Sequence, residues 1–417
     1  MSNIMLEEMG KRAKQSAVQL AALFSDKKNS ALNAIARLLE EQIQEILSAN
    51  EKDLAAAEQN GMSGAMMDRL RLTPQRIADI AQAVRYVASL PDPVGMVLDG
   101  GVRPNGLQIV RVSVPLGVVG IIFESRPNVT VDCAALCLKA GNACILRGGK
   151  EAIHSNKALV SIMRQALKAE GLPEDGIGLI EDTSRDTARE FMRLSGYLDV
   201  LIPRGGPQLI STVVQNATVP VIETGVGNCH LFVDETADLQ MAAEIVDNAK
   251  TSRPSVCNAL ETLLVHEAAA REFLPVMKAK LDAFNVELRG CEHTRAILGE
   301  CVVPACEEDY YTEFGDYILA VKIVRDVHEA IAHIGNYSTH HSDGILTRSY
   351  ENSRLFTQLV DSAAVYVNAS LRFTDGGEFG LGAEIGISTQ KLHARGPMGL
   401  SHLTSYKYIV TGNGQIR

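Results

Sequence analysis

The fold is decided by residues 114–149, which read VPLGVVGIIFESRPNVTVDCAALCLKAGNACILRGG. The opening run, VPLGVVGIIFE, is apolar almost throughout, as expected for a strand buried on both faces of a sheet. A helical pattern follows over 129–140 and ends at Gly141, and the short apolar run ACILRGG comes next. This order of strand, helix and strand predicts a parallel sheet covered by helices.

The same alternation extends toward the C-terminus in two series. GIGLI and LDVLIPRGG read as further strands, and VPVIETG closes the first series near residue 225. A second series begins near His230, with the strand-like runs CHLFVDE, ETLLVHE, VELRG, ILAVKIV, DGILT and AAVYVNAS. We therefore predict two doubly wound α/β domains.

Upstream of the first strand the pattern is helical. Apolar residues recur every three or four positions up to about residue 90, and one stripe predicts a helix over 31–47 with Asn29 or Ser30 as its cap. Segment 98–112 differs, because turn residues separate two short extended stretches. It predicts a projecting β-hairpin.

Composition excludes several classes of protein. A chain of 417 residues needs two or more domains. Its formal net charge of −10 argues against nucleic-acid binding, which relies on an excess of Lys and Arg. No apolar stretch is long enough to span a bilayer, and the N-terminus lacks the apolar stretch of a signal peptide. We expect a cytoplasmic protein that contacts neither membranes nor nucleic acid.

The eight cysteines do not suggest disulfides, and no metal site is predicted. Cys133 and Cys137 are spaced i,i+4 in an apolar helical run, which favours core packing over a metal pair. His340 and His341 are adjacent, and in a strand their side chains would point to opposite faces.

The strongest local signal for chemistry is the polar loop Arg253-Pro-Ser-Val-Cys257-Asn, at a predicted helix-to-strand junction. A cysteine in such a loop can reach a substrate, whereas core cysteines lie in apolar runs. Positive charge or aligned backbone N–H groups would promote the thiolate. A nucleophile and a partly buried structural thiol both fit this pattern.

A second signal is Glu124-Ser-Arg126-Pro-Asn128, directly after the first buried strand. Parallel α/β sheets bind ligands at such strand ends. The Asn128 amide can donate to an oxyanion formed during acyl transfer. It can also cap the helix that follows, and both roles can hold together.

Two glycine turns follow strands and precede helices, namely Arg147-Gly-Gly-Lys150 and Arg204-Gly205-Gly206. Glycine lets the backbone approach phosphate, helix N-termini attract anions, and Arg and Lys add positive charge. The pattern fits a nucleotide site and ordinary turn chemistry equally well. The GxGxxG dinucleotide fingerprint is absent.

Glycine-dense loops with isolated arginines lie near the C-terminus, at 368–380 and 393–399. Such loops suit a small anion, although each arginine could instead form a structural ion pair. The candidate substrate ligands are Arg126, Arg253, Ser370, Arg372 and Arg395.

Together these segments resemble the aldehyde dehydrogenase superfamily over essentially the whole chain. That family's order is followed by PLGVVGIIFESRPN, GNACILRGGKE, VIETG, the Cys257 loop and EFG at 313–315. A closer similarity, to the γ-glutamyl phosphate reductase family, is carried by FESRPNVTVD, RPSVCN, AHI…STHHSDGI, NASLRFTDGG and STQKLHARGPMGL. The resemblance implies an aldehyde-dehydrogenase-like α/β fold with two doubly wound domains and a small β-hairpin flap.

The resemblance also implies roles for matching residues. Cys257 would be the nucleophile, Asn128 the oxyanion donor and Glu313 the ligand of the nicotinamide ribose. Arg147 and Lys150 fall where relatives hold the adenosine ribose, and a basic Lys150 would favour the extra phosphate of NADPH. The other cofactor-binding candidates are Gly205, Gly206 and Glu223.

Domain limits follow from the same resemblance. Residues 1–97 and 113–225 would form the cofactor-binding domain, and 226–402 the catalytic domain. Residues 98–112 and 403–417 would form an oligomerisation flap, which implies a homo-oligomer, a dimer or larger.

The implied activity is the NADPH-dependent reduction of L-glutamyl 5-phosphate to L-glutamate 5-semialdehyde in proline biosynthesis, with phosphate released through a cysteine thioester. A separate glutamate kinase would supply this substrate.

Three other functions stay open. Glu223 matches the base of hydrolytic aldehyde dehydrogenases, so an oxidative NAD(P)-dependent enzyme would require it. A histidinol-dehydrogenase-like enzyme would require zinc, for which the sequence shows no convincing ligand cluster. A non-catalytic scaffold on the same fold would have an inert Cys257 and bind no cofactor.

Overall fold

The computed structural model describes residues 3–62 and 64–417, which divide into two compact units. Unit 1 contains the described residues up to Thr224, together with Leu381–Gly386 and Met398–Arg417. Unit 2 contains Gly225–Gly380 and Ile387–Pro397. Each unit has its own parallel sheet with helices around it.

Unit 1 combines a parallel sheet, an antiparallel sheet and nine α-helices within the described ranges. Its strands are β1 (Val97–Val102), β2 (Gln108–Pro115), β3 (Val118–Phe123), β4 (Ala143–Arg147), β5 (Ile177–Leu179), β6 (Val200–Arg204) and β16 (Thr404–Thr411). Its helices are α1 (Asn3–Ala21), α2 (Ser25–Glu41), α3 (Ile43–Gln59), α4 (Gly64–Leu70), α5 (Pro74–Ser89), α6 (Pro127–Lys139), α7 (Ile153–Ala169), α8 (Arg185–Phe191) and α9 (Pro207–Asn216).

The parallel sheet of unit 1 has the strand order β5-β4-β3-β6. Strand β3 is buried along its whole length, which explains its nearly continuous apolar sequence. Because β4 and β5 lie on one side of β3 and β6 on the other, the strand order reverses between β3 and β6. Ligands of open α/β sheets bind at the carboxyl ends of strands at such a reversal.

The N-terminal helices confirm the predicted helical character, but one set of limits was wrong. The stripe over 31–47 spans two helices, α2 and α3, and Asn29 and Ser30 lie inside α2 instead of capping it. The helix extends upstream because Lys28 is buried and its Nζ donates to Asp92 Oδ1 at 2.7 Å. A tertiary ion pair therefore overrides the local cap signal.

Two predicted strands differ in extent from the structure. The run that opens the predicted strand at 114 begins in β2, which ends at Pro115, and the chain turns at Gly117 (φ 124°) before β3. VPVIETG forms only a single bridge, between Leu201 and Val221, instead of a full strand. Pro220 has no N–H with which to continue a ladder.

The three-stranded antiparallel sheet, β1-β2-β16, contains the predicted hairpin. Strand β16 pairs with β2 over its whole length, so the C-terminus completes this sheet. Strand β1 is exposed throughout, as is β16 after its first residue. The large apolar side chains exposed on the two strands are Val97, Leu98, Val102, Tyr406, Tyr408, Ile409 and Val410.

Unit 2 is a seven-stranded parallel sheet in the order β10-β9-β11-β8-β7-β12-β13. The strands are β7 (Cys229–Val233), β8 (Leu260–His266), β9 (Glu287–Gly290), β10 (Val303–Pro304), β11 (Ile318–Val324), β12 (Ser342–Leu346) and β13 (Ala364–Val367). The helices are α10 (Leu239–Thr251), α11 (Glu267–Leu281), α12 (Glu292–Leu298), α13 (Val327–Tyr337) and α14 (Tyr350–Leu359). Strands β14 (Gly386–Ser388) and β15 (Gly396–Met398) form a separate two-stranded sheet.

The two parallel sheets confirm the predicted α/β fold class. Each of β7 and β8 is buried throughout, and their side chains pack with α10 and α11 into one apolar cluster. Over the part of the chain that the structure describes, none of the helices has both the length and the apolar character that crossing a membrane requires.

Candidate active site

The candidate nucleophile lies between α10 and β8, at the predicted helix-to-strand junction of unit 2. Cys257 is half-buried, and its carbonyl oxygen accepts a hydrogen bond from the Cys229 thiol at 3.1 Å. Asn258 is buried, and its Nδ2 donates to the carbonyl oxygens of Arg372 and Thr374 at 3.2 and 2.9 Å. These bonds hold the loop at Cys257 and at the residue that follows it.

Gly227 packs directly against this loop. A Cβ built on Gly227 would lie 1.5 Å from the carbonyl oxygen of Cys257, a separation that no real Cβ reaches. Only glycine therefore permits this approach of the two backbones. Gly227 was not predicted as a site residue, and the only signal for it was the GVG at 225–227.

Glu313 is connected to the same glycine. Its Oε1 accepts the N–H of Gly227 at 3.1 Å. Burial raises the pKa of Glu313, while the Gly227 hydrogen bond and the charge of Lys250 act in the opposite direction. The candidate cofactor carboxylate and the candidate nucleophile thus share one backbone support.

A buried ion pair holds the segment that carries Glu313. Lys250 Nζ lies 2.7 Å from Glu261 Oε2, and neither side chain is exposed. Glu261 Oε1 accepts the N–H of Gly315 at 3.1 Å. Burial raises the pKa of Glu261, and Lys250 opposes that effect. Neither charged residue was predicted from the sequence.

Two candidate anion ligands lie beside the thiol in unit 2. The pKa of Arg372 is lowered first by burial and next by the positive charge of Arg253, whereas the nearby Cys257 raises it. Arg372 Nε donates to Ser252 Oγ at 3.1 Å. The structure therefore brings together Arg253, Arg372 and Cys257.

The other two candidate ligands of unit 2 have strong partners within the protein. Ser370 Oγ donates to Asn248 Oδ1 at 2.7 Å. Arg395 Nη1 lies 2.7 Å from Asp361 Oδ1, and its Nη2 donates to the backbone oxygen of the same residue at 2.6 Å. Lys391 and Arg395 together lower the pKa of Asp361 to about 2. Arg395 is thus part of an ion-pair network.

Asn128 lies in the first turn of α6 in unit 1. The cap of that helix is Arg126, whose side chain makes no capping hydrogen bond, so Asn128 lies inside the helix and does not have the alternative capping role. The Asn128 side chain turns along the helix instead, and its Nδ2 donates to Asp132 Oδ2 at 2.9 Å. Arg126 is exposed directly before the helix.

The glycine turn after β4 carries the predicted basic residues. Arg147 Nη2 donates to the carbonyl oxygen of Thr183 at 2.9 Å, while its Nε is buried without a partner. Burial lowers the pKa of Arg147. Lys150 is exposed at the start of a short 3-10 helix. Two basic residues on one glycine turn after a strand, one of them exposed, fit an anionic nucleotide.

The turn after β6 opens α9, with Gly206 as the N-cap. The N–H of Gly206 donates to Glu124 Oε2 at 3.0 Å, and a Cβ on Gly205 would lie 2.5 Å from the same oxygen. Backbone N–H groups at a helix start suit phosphate. Glu223 is half-buried and lies two residues after Val221, which forms the single bridge to β6. The next residue, Thr224, anchors this segment, because its Oγ1 donates to the carbonyl oxygen of Pro203 at 2.7 Å.

Within residues 3–62 and 64–417, no three His, Cys, Asp or Glu side chains converge in the manner of a metal site. Cys133 and Cys137 are buried, and burial raises the pKa of Cys133 to about 12. His340 and His341 directly precede β12, so neither lies within that strand. The His341 Nδ1 instead lies 2.8 Å from Ser342 Oγ in a buried polar network.

Comparisons with known proteins identify the family. The aldehyde dehydrogenase family model matches residues 5–295. A γ-glutamyl phosphate reductase from Carboxydothermus hydrogenoformans is 63% identical over 409 residues, covering 98% of each chain. The crystal structure of γ-glutamyl phosphate reductase from Thermotoga maritima superposes with a TM-score of 0.97 at 53% identity, covering 99% of each chain. This chain belongs to the γ-glutamyl phosphate reductase family.

Membership of the γ-glutamyl phosphate reductase family confirms the resemblance read from the motifs. The wider fold is shared as well, because an acetylating aldehyde dehydrogenase from Geobacillus thermoglucosidasius superposes with a TM-score of 0.70 at only 16% identity. Likeness at that identity concerns the fold alone.

Proposed function

We infer that this chain is an enzyme that reduces L-glutamyl 5-phosphate to L-glutamate 5-semialdehyde in proline biosynthesis. The observation that carries this function is the near-full-length identity of 63% with a relative named γ-glutamyl phosphate reductase. The enzyme is an oxidoreductase that uses a nicotinamide cofactor, as its aldehyde dehydrogenase family implies.

We propose that the Cys257 thiolate attacks the carbonyl carbon of the acyl phosphate. A tetrahedral oxyanion forms, and an N–H of the Asn128 amide donates to it. The carbon–oxygen bond to phosphate then breaks, phosphate leaves, and a thioester to Cys257 remains. The support for this role is a half-buried thiol in a loop whose backbone is fixed by Cys229 and Asn258.

We assign Arg253 and Arg372 to the anionic groups of the substrate. The positive charge of Arg253 lowers the pKa of Arg372, and Arg372 is held by Ser252. An anion between them would relieve that repulsion. Arg126 stays a further candidate, whereas the contacts of Ser370 and Arg395 favour supporting roles in the two loops.

We propose NADPH as the cofactor. Lys150 and Arg147 would hold its adenosine ribose and 2′-phosphate, Gly205 and Gly206 its phosphates, and Glu313 its nicotinamide ribose. Bound NADPH supplies the hydride that reduces the thioester carbon. Cys257 then leaves the reduced carbon as a thiolate, and the aldehyde is released. Glu223 lines the same cofactor region and has no required step in this sequence.

We propose that the β1-β2-β16 sheet joins copies of this chain into a dimer or a larger homo-oligomer. Its exposed strands carry large apolar side chains, which single soluble chains seldom present together. A separate glutamate kinase would supply the unstable acyl phosphate.

The test is the reverse reaction with glutamate 5-semialdehyde and NADP⁺, run with and without phosphate. We expect NADP⁺ reduction that depends on phosphate or arsenate, is abolished in Cys257→Ser, and persists in Cys301→Ser, a control at an exposed cysteine. Equal rates without phosphate, lost in Glu223→Gln, would instead identify a hydrolytic aldehyde dehydrogenase. An inert Cys257 with no cofactor binding would identify a scaffold.

A further inference from the structure

Asn128 and Asp132 are paired along one face of α6. Residues four apart on a helix are neighbours, and the Asn128 Nδ2 donates to Asp132 Oδ2 at 2.9 Å. Because Arg126 is the N-cap, the Asn128 side chain is not engaged with the helix N-terminus. The contact with Asp132 is therefore what orients this amide.

An ionised carboxylate discriminates between the two ends of an amide. The nitrogen of Asn128 has two N–H donors, its oxygen only accepts, and a carboxylate also only accepts. The nitrogen therefore faces Asp132, since the flipped amide would place two acceptors against each other. One N–H is bonded to Asp132, and the second stays on a nitrogen whose position is set.

Asp132 is suited to this task. Burial raises its pKa to about 6, while the Asn128 hydrogen bond and the positive charge of Arg204 oppose that rise. Because this pKa is still below 7, the carboxyl group is mainly ionised at neutral pH. A hydrogen bond to an ionised acceptor is stronger than one between neutral groups, so the amide is held firmly.

We propose that Asp132 is a positioning residue that aims the second N–H of Asn128 at the oxyanion. This inference rests on the proposed role of Asn128 in the reaction. Asp132 itself does not touch the reacting atoms. It converts a freely rotating amide into a preorganised donor, and preorganised donors are what stabilise a developing charge without reorganisation.

The test is a double-mutant cycle of Asp132→Asn and Asn128→Ala, assayed in the reverse reaction with glutamate 5-semialdehyde, phosphate and NADP⁺. We expect Asn128→Ala to lower kcat by about 10²- to 10³-fold, as removal of an oxyanion donor does. Asp132→Asn should lower kcat about tenfold, because one direction of the amide is no longer enforced, with KM changed by less than about twofold. In the Asn128→Ala background it should have no further effect.

Asp79→Asn is the matched control. Gln75 Nε2 donates to Asp79 Oδ1 at 2.9 Å on the exposed surface of α5, so this pair has the same spacing and chemistry away from the site. We expect its kcat to equal that of the unsubstituted enzyme. Alkylation of Cys257 by iodoacetamide, which forms no carbonyl oxyanion, should proceed at the same rate in all variants.

The possible failures are distinguishable. Normal kcat in Asn128→Ala would refute the proposed oxyanion role of Asn128. A loss in Asp132→Asn that is equal in both backgrounds, or no loss at all, would overturn the positioning role alone. If Asp132→Asn does not fold, Asp132→Glu provides the same comparison, because it keeps the charge and displaces the carboxylate by one methylene.

Discussion

The closest backbone approach at the candidate site predicts a large effect from a single methyl group. Gly227→Ala would place its Cβ 1.5 Å from the carbonyl oxygen of Cys257, whereas real Cβ atoms stay at least 3.0 Å from such atoms. One of the two segments must therefore move by about 1.5 Å. The obstacle is backbone, so no side-chain rotation can relieve it.

The expected loss follows from that displacement. A misplacement of about 1 Å in a reacting group costs on the order of 10²-fold in rate. We expect kcat of Gly227→Ala to fall by about 100-fold or more. The N–H of Gly227 also holds Glu313, so the KM for NADP⁺ should rise as well.

The assay is steady-state NADP⁺ reduction with glutamate 5-semialdehyde and phosphate, accompanied by thermal unfolding. The matched control is Gly335→Ala, on an exposed part of α13 in the same unit, where an added Cβ meets nothing within 4 Å. That variant should keep full activity and equal or greater stability, since alanine favours helix. Activity of Gly227→Ala within about threefold of the unsubstituted enzyme would refute the reasoning.

Three further outcomes are expected. Lys150→Glu should lower the preference for NADPH, measured as kcat/KM with NADPH divided by kcat/KM with NADH, by about tenfold or more, because a carboxylate repels the 2′-phosphate. An unchanged preference would contradict the assignment of Lys150 to that phosphate. Lys250→Met should destabilise the protein by about 3–5 kcal/mol in urea unfolding, because it leaves Glu261 buried without its partner. Adding Glu261→Gln to this variant should restore most of the lost stability. Equal stability of the single and the double variant would count against the pair. Burial lowers the pKa of His341 to about 4, so the contribution of this residue to stability is full above pH 6.5 and is lost as pH falls toward 4. The free energy of unfolding, measured relative to His341→Asn, should therefore fall by about 1.4 kcal/mol per pH unit as pH is lowered through that window. A difference that stays constant with pH would exclude this linkage.

The sequence predicts the fold class because strands buried on both faces are apolar along their whole length. Strand β3 and the buried strands of unit 2 are recognisable without knowledge of their neighbours. The polar context of Cys257 is equally local, and the order of the motifs indicates the family. The Asn128–Asp132 pair also has a local signal, the i,i+4 spacing in a helix.

Other features depend on partners that are distant along the chain. The start of α2 is set by the pairing of Lys28 with Asp92, and β16 acquires its strand partner from β2. The sequence shows a glycine at 227 but not the carbonyl of Cys257 against it. Likewise, Lys250 and Glu261 are ordinary charges until folding buries them together. Local patterns record periodicity and burial, whereas close approaches and ion pairs arise only when separate segments pack.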